Sequence, residues 1–456
     1  MANTAFQDAS LALKVGVPAN INLGAFCPGA TSFAIVNTSA AWNQSLLTPG
    51  LSLVGSQITG TPTTAGSWLA IARAGRGTRN ADASWTARSA GAYTAQRFDS
   101  ATPITLGGAS VANTSWDTSI KRSGAGSMKQ FLLANAATND SSKWFHSTKV
   151  SQQYSGSPPA FASNTGFGLG ERFFVQFQYR PDRNFVQWPW PTTPKIYILD
   201  MLPWSSNLNL GPTANAWEIV MIQKNGYFYG YQNGPGGGFA GPPGAQDNEG
   251  WQTGVGGGGE IVFQPGIQNT ARALNGSNPG LPSGAGTTWT ANQQMRARYG
   301  YLYQLYDSLG GPDGLTDLLA GGVPMSIDQW HTVLLEVRVD TAYGAGNGLV
   351  RVKVAPDGQD YVTIYDHLYQ TNITNPSSPF FHRDASSGGF TDQDTVFPGM
   401  GFINLAFGAS MTGKPYTSFN IDEIICSANT IPAPDVGDGT GNWRTTDALL
   451  TFKVAP

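Results

Sequence analysis

A retaining glycosidase needs two carboxyl groups about 5 Å apart, and a β-strand supplies them at positions i and i+2, which share a face. Glu218, in Trp217-Glu-Ile-Val, has no acidic residue two positions away, and Asp422 and Glu423 are adjacent, so a regular strand points them to opposite faces. Hydrolysis is therefore not expected, and Asp422-Glu423 reads as a structural acceptor pair closing the last strand. Proton abstraction beside a carboxylate asks for a different set, with Tyr or His as base and Lys, Arg or Gln to neutralise the acid function. Lys195, Gln223, Lys224, Tyr227, Tyr229 and His331 offer those groups. Within one strand, however, the neighbours Gln223 and Lys224 cannot share a face, and no local spacing unites the set.

Metal chemistry has little to stand on. The four histidines, His146, His331, His367 and His382, form no HExxH motif and no i,i+2 pair, and His331, following Trp330, reads as a core residue. Cys27 and Cys426 lie far apart in sequence, which excludes a disulfide framework and a Cys-based metal site; both read as small buried hydrophobes. No cofactor is expected. Calcium is the one open option, through oxygen ligands at Asp247, Asn248 and Glu249 or at Asp392 and Asp394, although either group reads better as a solvated acidic loop.

Aromatic side chains give the stronger signal. Trp188, Trp190, Trp204, Tyr227, Tyr229, Tyr231 and Trp251 crowd into one region together with Trp217. An aromatic face stacks on the apolar face of a sugar ring without any charge. Trp188 and Trp190 lie in a Pro-flanked loop and are expected to be exposed, and the three tyrosines alternate along one strand face with Phe228 opposite. These seven residues are the carbohydrate-binding candidates; no catalytic residue and no metal ligand is assigned.

The elements that position them must be mainly strands. Gly contributes 57 and Pro 29 of the 456 residues, and both weaken helix interiors, while 13 Trp, 16 Tyr and 23 Phe supply apolar area that disordered chains lack. A net charge of −3 excludes a globally basic nucleic-acid binder and any electrostatic attraction to an anionic membrane. No window approaches the roughly 18 apolar residues of a membrane span. Residues 1–74 alternate in short bursts at 11–17, 32–37, 51–55 and 67–74, as in a small β-sandwich. Residues 75–92 are polar and unpatterned and read as a linker.

A second module spans 93–435. Residues 172–180 carry Phe173, Val175, Phe177 and Tyr179 on one face and Gln176 and Gln178 on the other, the pattern of a half-exposed strand. Further strands are expected at 195–199, 217–222, 227–231, 330–339, 349–354, 360–365, 401–407 and 418–425. An insertion at about 232–325 begins with a Gly-rich loop, 233–259, of a length usually functional or disordered. It continues with Met295, Tyr299, Leu302 and Tyr306 on one helical face. Residues 436–456 start polar and end in an apolar strand at 448–454, suited to pairing with a partner.

Two resemblances sharpen this organisation. The stretch 46–68, Leu-Leu-Thr-Pro-Gly-Leu-Ser-Leu-Val-Gly-Ser-Gln-Ile-Thr-Gly-Thr-Pro-Thr-Thr-Ala-Gly-Ser-Trp, resembles the Ig-like domains of bacterial and phage surface proteins. That likeness implies a spacer or attachment module, with turns at Gly60-Thr-Pro62 and Ala65-Gly66 and with Leu51, Leu53 and Ile58 pointing inward. Arg97-Phe-Asp99, Ser115-Trp-Asp-Thr118, the Ser123-Gly-Ala-Gly-Ser turn, Trp330-His and the closing 418–425 strand are similar to the concanavalin A-like lectin/glucanase superfamily. With Val354-Ala-Pro-Asp-Gly-Gln359, Met411-Thr-Gly-Lys414 and the closing 427–434, the whole resembles virion-associated proteins of tailed phages. The superfamily's glucanases imply a Glu-x-Asp-x-Glu strand, which is absent. Its polysaccharide lyases imply a Tyr or His base with Arg, Lys or Gln on the uronate; Gln223 to Tyr229 invites that comparison without reproducing the paired signatures.

The expectation is an all-β chain, an Ig-like β-sandwich followed by a concanavalin A-like jelly roll with a loop and short-helix insertion. Its expected role is a non-enzymatic phage virion protein of the tail tip, baseplate or fibre, touching host-surface glycan or neighbouring virion proteins. A purely structural capsid decoration protein and a lyase-type polysaccharide depolymerase are the alternatives. The first residues lack a charged segment followed by an apolar run, so no signal peptide is read, and a virion protein made in the host cytoplasm, assembled as a homo-oligomer such as a trimer, is expected.

Overall fold

The computed structural model describes residues 6–36, 47–105, 113–135, 141–147, 149, 167, 170–187, 194–201, 217–224, 261–269, 327–338, 341, 348–369, 399–406, 413–434 and 443–456. The fold is all-β, as the alternation requires. Strands β1 (Ala9–Lys14), β2 (Ala19–Asn22), β3 (Ser32–Val36), β4 (Leu51–Val54), β5 (Gln57–Gly60) and β6 (Gly66–Arg76) come from the start of the chain, and β20 (Arg444–Ala455) from its end. They make two sheets, β1-β20-β6-β3 and β2-β5-β4.

β20 runs parallel to β1 and antiparallel to β6, from Arg444 opposite Arg76 to Val454 opposite Gly66. Its period-2 pattern buries Ala448, Leu450, Phe452 and Val454 against Leu23, Cys27, Ile58, Ala70, Ala72 and Ala74. Arg73 adds a two-pronged bond to the facing Asp447, at 2.8 and 2.9 Å. The C-terminal strand, expected to serve a partner, thus completes the N-terminal sandwich of its own chain. Leu51, Leu53 and Ile58 join the same core. Gly50 and Gly60 are required by close approach: their φ values are +91° and +129°, and a Cβ on Gly60 would lie 2.1 Å from the Gly50 carbonyl oxygen.

Between β6 and β20 lies the larger unit. It comprises α1 (Ala81–Ser89), β7 (Thr94–Gln96), α2 (Thr102–Thr105), β8 (Thr114–Asp117), β9 (Ser127–Leu132), β10 (Ser141–Ser147), β11 (Arg172–Pro181), α3 (Arg183–Gln187), β12 (Pro194–Met201) and β13 (Trp217–Lys224). It continues with β14 (Ile261–Asn269), β15 (His331–Arg338), β16 (Gly348–Pro356), β17 (Val362–Tyr369), β18 (Gly399–Ala406) and β19 (Thr417–Ser427). One sheet is ordered β17-β16-β15-β11-β19-β9-β8, with β7 also on β19; the other is β10-β18-β12-β13-β14. The insertion therefore contributes a strand, β14, while its Gly-rich part and the helical stretch at 295–306 lie outside the described residues.

β11 is buried on both faces from Phe173 to Tyr179, where a half-exposed strand was expected. Its apolar face packs Tyr179 on Phe419 (5.2 Å between centroids) and Phe173 on Phe167 (4.1 Å). Its Gln face is covered by the stretch read as a linker. That stretch folds into α1, whose N-cap Asn80 accepts from Ala83 N at 3.1 Å and whose Arg88 donates to both Gln176 Oε1 and Glu423 Oε2. Gln176 in turn donates to the Tyr361 hydroxyl at 2.6 Å and the Pro432 carbonyl at 2.7 Å. Around this network Phe174, Leu334, Ile425 and Ile431 pack with Trp85.

Asp422 and Glu423 do not separate to opposite faces. β11 pairs Gln176 with Ile425 but Gln178 with Asp422, so β19 carries an extra residue there, and Glu423 sits at φ +50°. Such a bulge re-aims side chains. Asp422, opposite Gln178, and Glu423, sharing Arg88 with Gln176, both lie on the Gln face. Both are fully buried. Asp422 accepts from Arg122 N and Glu423 N at 2.9 and 2.8 Å, and burial, then the Glu423 charge, holds its carboxyl well above the usual range. Neither carboxyl is placed to meet a substrate. Arg88→Ala would strand Glu423 as a buried charge, and a loss of about 3–5 kcal/mol is expected in urea unfolding.

The two units meet at the turn after β16. Asp357 binds Arg79 at 2.7 Å and Arg122 at 3.0 Å, Arg79 lies 4.4 Å over the Trp443 ring, and Thr445 N donates to the Gly358 carbonyl at 2.9 Å. Burial opposes the Asp357 charge, but Arg122, Arg79 and Arg73 outweigh it and lower its pKa. A carboxyl lowered in the folded state stabilises above its unfolded pKa of about 3.9 and loses that contribution as pH falls through the folded value. Asp357→Asn is therefore expected to be less stable at neutral pH and to show a flatter acid-side decline in thermal unfolding.

Candidate functional site

The five-stranded sheet has one face fixed by β10. Ser142, Trp144 and His146 are buried; the Trp144 indole donates to the Pro103 carbonyl at 3.1 Å, meets Phe98 edge-on at 5.5 Å and stacks on His146 at 5.4 Å. Alternation puts Lys143 on the other face. The register then assembles that face from distant segments. Lys143 is opposite Ile403, which is opposite Tyr197; Leu405 is opposite Lys195, which is opposite Gln223. Residues directly paired across strands share a face, so Lys143, Lys195, Tyr197 and Gln223 occupy one face across the four adjacent strands β10, β18, β12 and β13.

Strand spacing of about 4.8 Å and a two-residue repeat of about 6.8 Å make this a patch about 14 Å by 7 Å, the scale of a short stretch of sugar chain. Two lysines, a tyrosine and a glutamine stand at these positions, and among the described residues no acidic residue shares those rows. Such a set can neutralise a carboxylate and transfer a proton beside it.

Of the residues that sequence put forward for proton abstraction, the fold unites Lys195 and Gln223. Lys224, opposite Ile261 on β14, is one position along from Gln223 and belongs to the other face. His331 lies in the other sheet, opposite Tyr179, and is buried. Tyr227 and Tyr229 lie outside the described residues, as do all seven carbohydrate-binding candidates, Trp188, Trp190, Trp204, Tyr227, Tyr229, Tyr231 and Trp251, and the calcium candidates Asp247, Asn248, Glu249, Asp392 and Asp394. Among the described residues no group of three His, Cys, Asp or Glu side chains could hold a metal ion. Sequence reasoning missed Lys143 and Tyr197. The i,i+2 spacing of Lys195 and Tyr197 was a usable signal; Lys143 had none, since only the β10-β18-β12 order brings it near.

No family model and no curated protein matches the chain. Among solved structures, an endo-β-1,4-glucuronan lyase from the fungus Trichoderma reesei is similar at 11% identity, covering 76% of this chain and 100% of that one, with a TM-score of 0.34. An alginate lyase from Chlorella virus follows at 9% identity, 74% and 99% coverage and a TM-score of 0.31. The catalytic domain of a glycoside hydrolase family 131 protein from Coprinopsis cinerea is similar at 12% identity, 72% and 81% coverage and a TM-score of 0.28. These similar proteins are polysaccharide lyases and a glycoside hydrolase, where a chain that is not an enzyme was expected.

Proposed function

We propose that the chain is a polysaccharide lyase that cleaves uronate-containing polymers by β-elimination. The observation that carries this reading is the register that sets Lys195 opposite Gln223 with Tyr197 and Lys143 one row away on the same face. Lys195, Gln223 and Lys143 engage the uronate carboxylate and disperse its charge, which makes the C5 proton removable. Tyr197, as the phenolate, takes that proton; the C5–H electron pair becomes the C4=C5 double bond, the C4–O bond breaks, and the departing oxygen takes the proton from the Tyr197 hydroxyl so formed, which restores the phenolate. Incubation with alginate or glucuronan should raise the ultraviolet absorbance of unsaturated ends, and flat absorbance on both polymers would remove the proposal.

A second reading has one observation in its favour. Asp200 is opposite Glu218 across β12 and β13, and directly paired positions lie about 5 Å apart at Cβ, within reach of the carboxyl separation of a retaining hydrolase. Hydrolysis releases reducing ends without unsaturation, so the same incubation separates the two. The small sandwich is proposed as the module that attaches the enzyme to other virion proteins, supported by the motif at 46–68; purified particles free of the protein would remove that part.

A further inference from the structure

On the eight-stranded sheet, away from the proposed reaction face, lies an aromatic pair, an exposed Tyr416 on a half-buried Phe131, that no role above uses. Lys129 and Phe131 alternate along β9 with Leu133 just beyond it, on the face that also bears Asn420 and Ser418 of β19. Leu133 is 50% and Tyr416 37% exposed. The Phe131 and Tyr416 rings lie 5.5 Å apart at 25°, and the Lys129 ammonium sits 5.3 Å from the Tyr416 ring centre.

The platform is held rigidly. Asn184 Nδ2 donates to the Tyr416 carbonyl at 3.0 Å, Asn135 N to the Lys414 carbonyl at 2.9 Å, and Ser418 donates through N and Oγ to Asp182 at 2.8 and 2.9 Å. A large apolar surface fixed in place and left in water loses little entropy on binding. Lys129 makes no ion pair among the described residues, although, against burial, its charge adds to the hydrogen bonds that lower the pKa of Asp117. The nearby Asp117 carboxylate is engaged by Ser119 N, Ile120 N and Asn420 Nδ2. Among the described residues, the other exposed aromatic with a lysine differs on this point, since beside Tyr93 the Lys149 ammonium already binds Glu171 at 2.8 Å.

We infer that Tyr416, Phe131 and Lys129 form a second glycan-binding site, taking one uronate residue of the polymer by ring stacking with its carboxylate toward the Lys129 ammonium. The choice of an acidic sugar rests on the lyase reading; the stacking platform does not. Affinity electrophoresis through gels containing sodium alginate, with dextran as the neutral probe, tests it. Tyr416→Ala is expected to lose at least about tenfold in apparent affinity for alginate by removing an aromatic stacking contact, and Lys129→Gln severalfold on alginate with no change on dextran. Turnover of short oligouronates should be unchanged in both. Parent-like retardation of both variants overturns the site, as does self-association of the parent abolished by Tyr416→Ala, which would assign the face to a second copy of the chain. Tyr416-dependent retardation by a protein that cleaves nothing leaves this site standing and removes the lyase reading alone.

Discussion

Tyr197→Phe, which removes one oxygen, is expected to lower the release of unsaturated ends from polyuronate by about 10²–10⁴-fold, the usual contribution of a positioned general acid or base. Binding of the polymer should be nearly unchanged, because the ring and both neighbouring ammonium groups remain. Lys195→Ala should fail differently. Loss of the group facing the carboxylate weakens ground-state binding as well as the transition state, so KM rises while kcat falls. Lys224→Ala is the internal control: it removes the same charge one residue from Gln223 but from the other face, and parent-like kinetics are expected. A Tyr197→Phe protein as active as its parent, or a Lys224→Ala protein as impaired as Lys195→Ala, would mean that the face named here is not where the reaction occurs.

Deleting residues 443–456 should unfold the small sandwich although every residue of its other strands is kept. The deletion removes β20 from between β1 and β6. The buried Leu450, Phe452 and Val454 each contribute about 1.5–3 kcal/mol. Their sum, about 4.5–9 kcal/mol, is comparable with the whole stability of a typical domain, about 5–15 kcal/mol. Limited proteolysis should then cut readily within residues 6–76, and a synthetic peptide of residues 443–456 added in excess should restore protection. Unchanged resistance of the shortened chain would show that β20 is dispensable.

What the sequence made legible was local. Alternation placed β4, β6, β13, β15, β16 and β19 to within a few residues, because period-2 burial is written into each segment. What it could not show were consequences of pairing between segments. The bulge at Glu423 exists because β11 offers one residue where β19 offers two, so neither strand alone announces that Asp422 and Glu423 will share a face. Gln176 and Gln178 looked solvent-facing until α1 supplied Arg88, and α1 itself, with Ala, Ser and Thr in place of a clear apolar stripe, resembles a linker in composition. The site suffered most from this. Lys195 and Gln223 were both noticed, but Gln223 was weighed against its neighbour in sequence, Lys224, rather than its neighbour across the sheet, and Tyr197 was read only as part of a strand. Aromatic density drew attention instead to positions whose placement the described residues do not include.

The larger unit leaves the small sandwich at the end of β6 and returns to it at the start of β20, and those two points, Arg76 and Arg444, face each other across one strand pair. A single proteolytic nick in either crossing therefore does not release the larger unit, because the other crossing still holds it and the nicked strand remains zipped into its sheet. Shedding requires two cuts. That arrangement keeps the two units together through damage that would separate modules strung end to end.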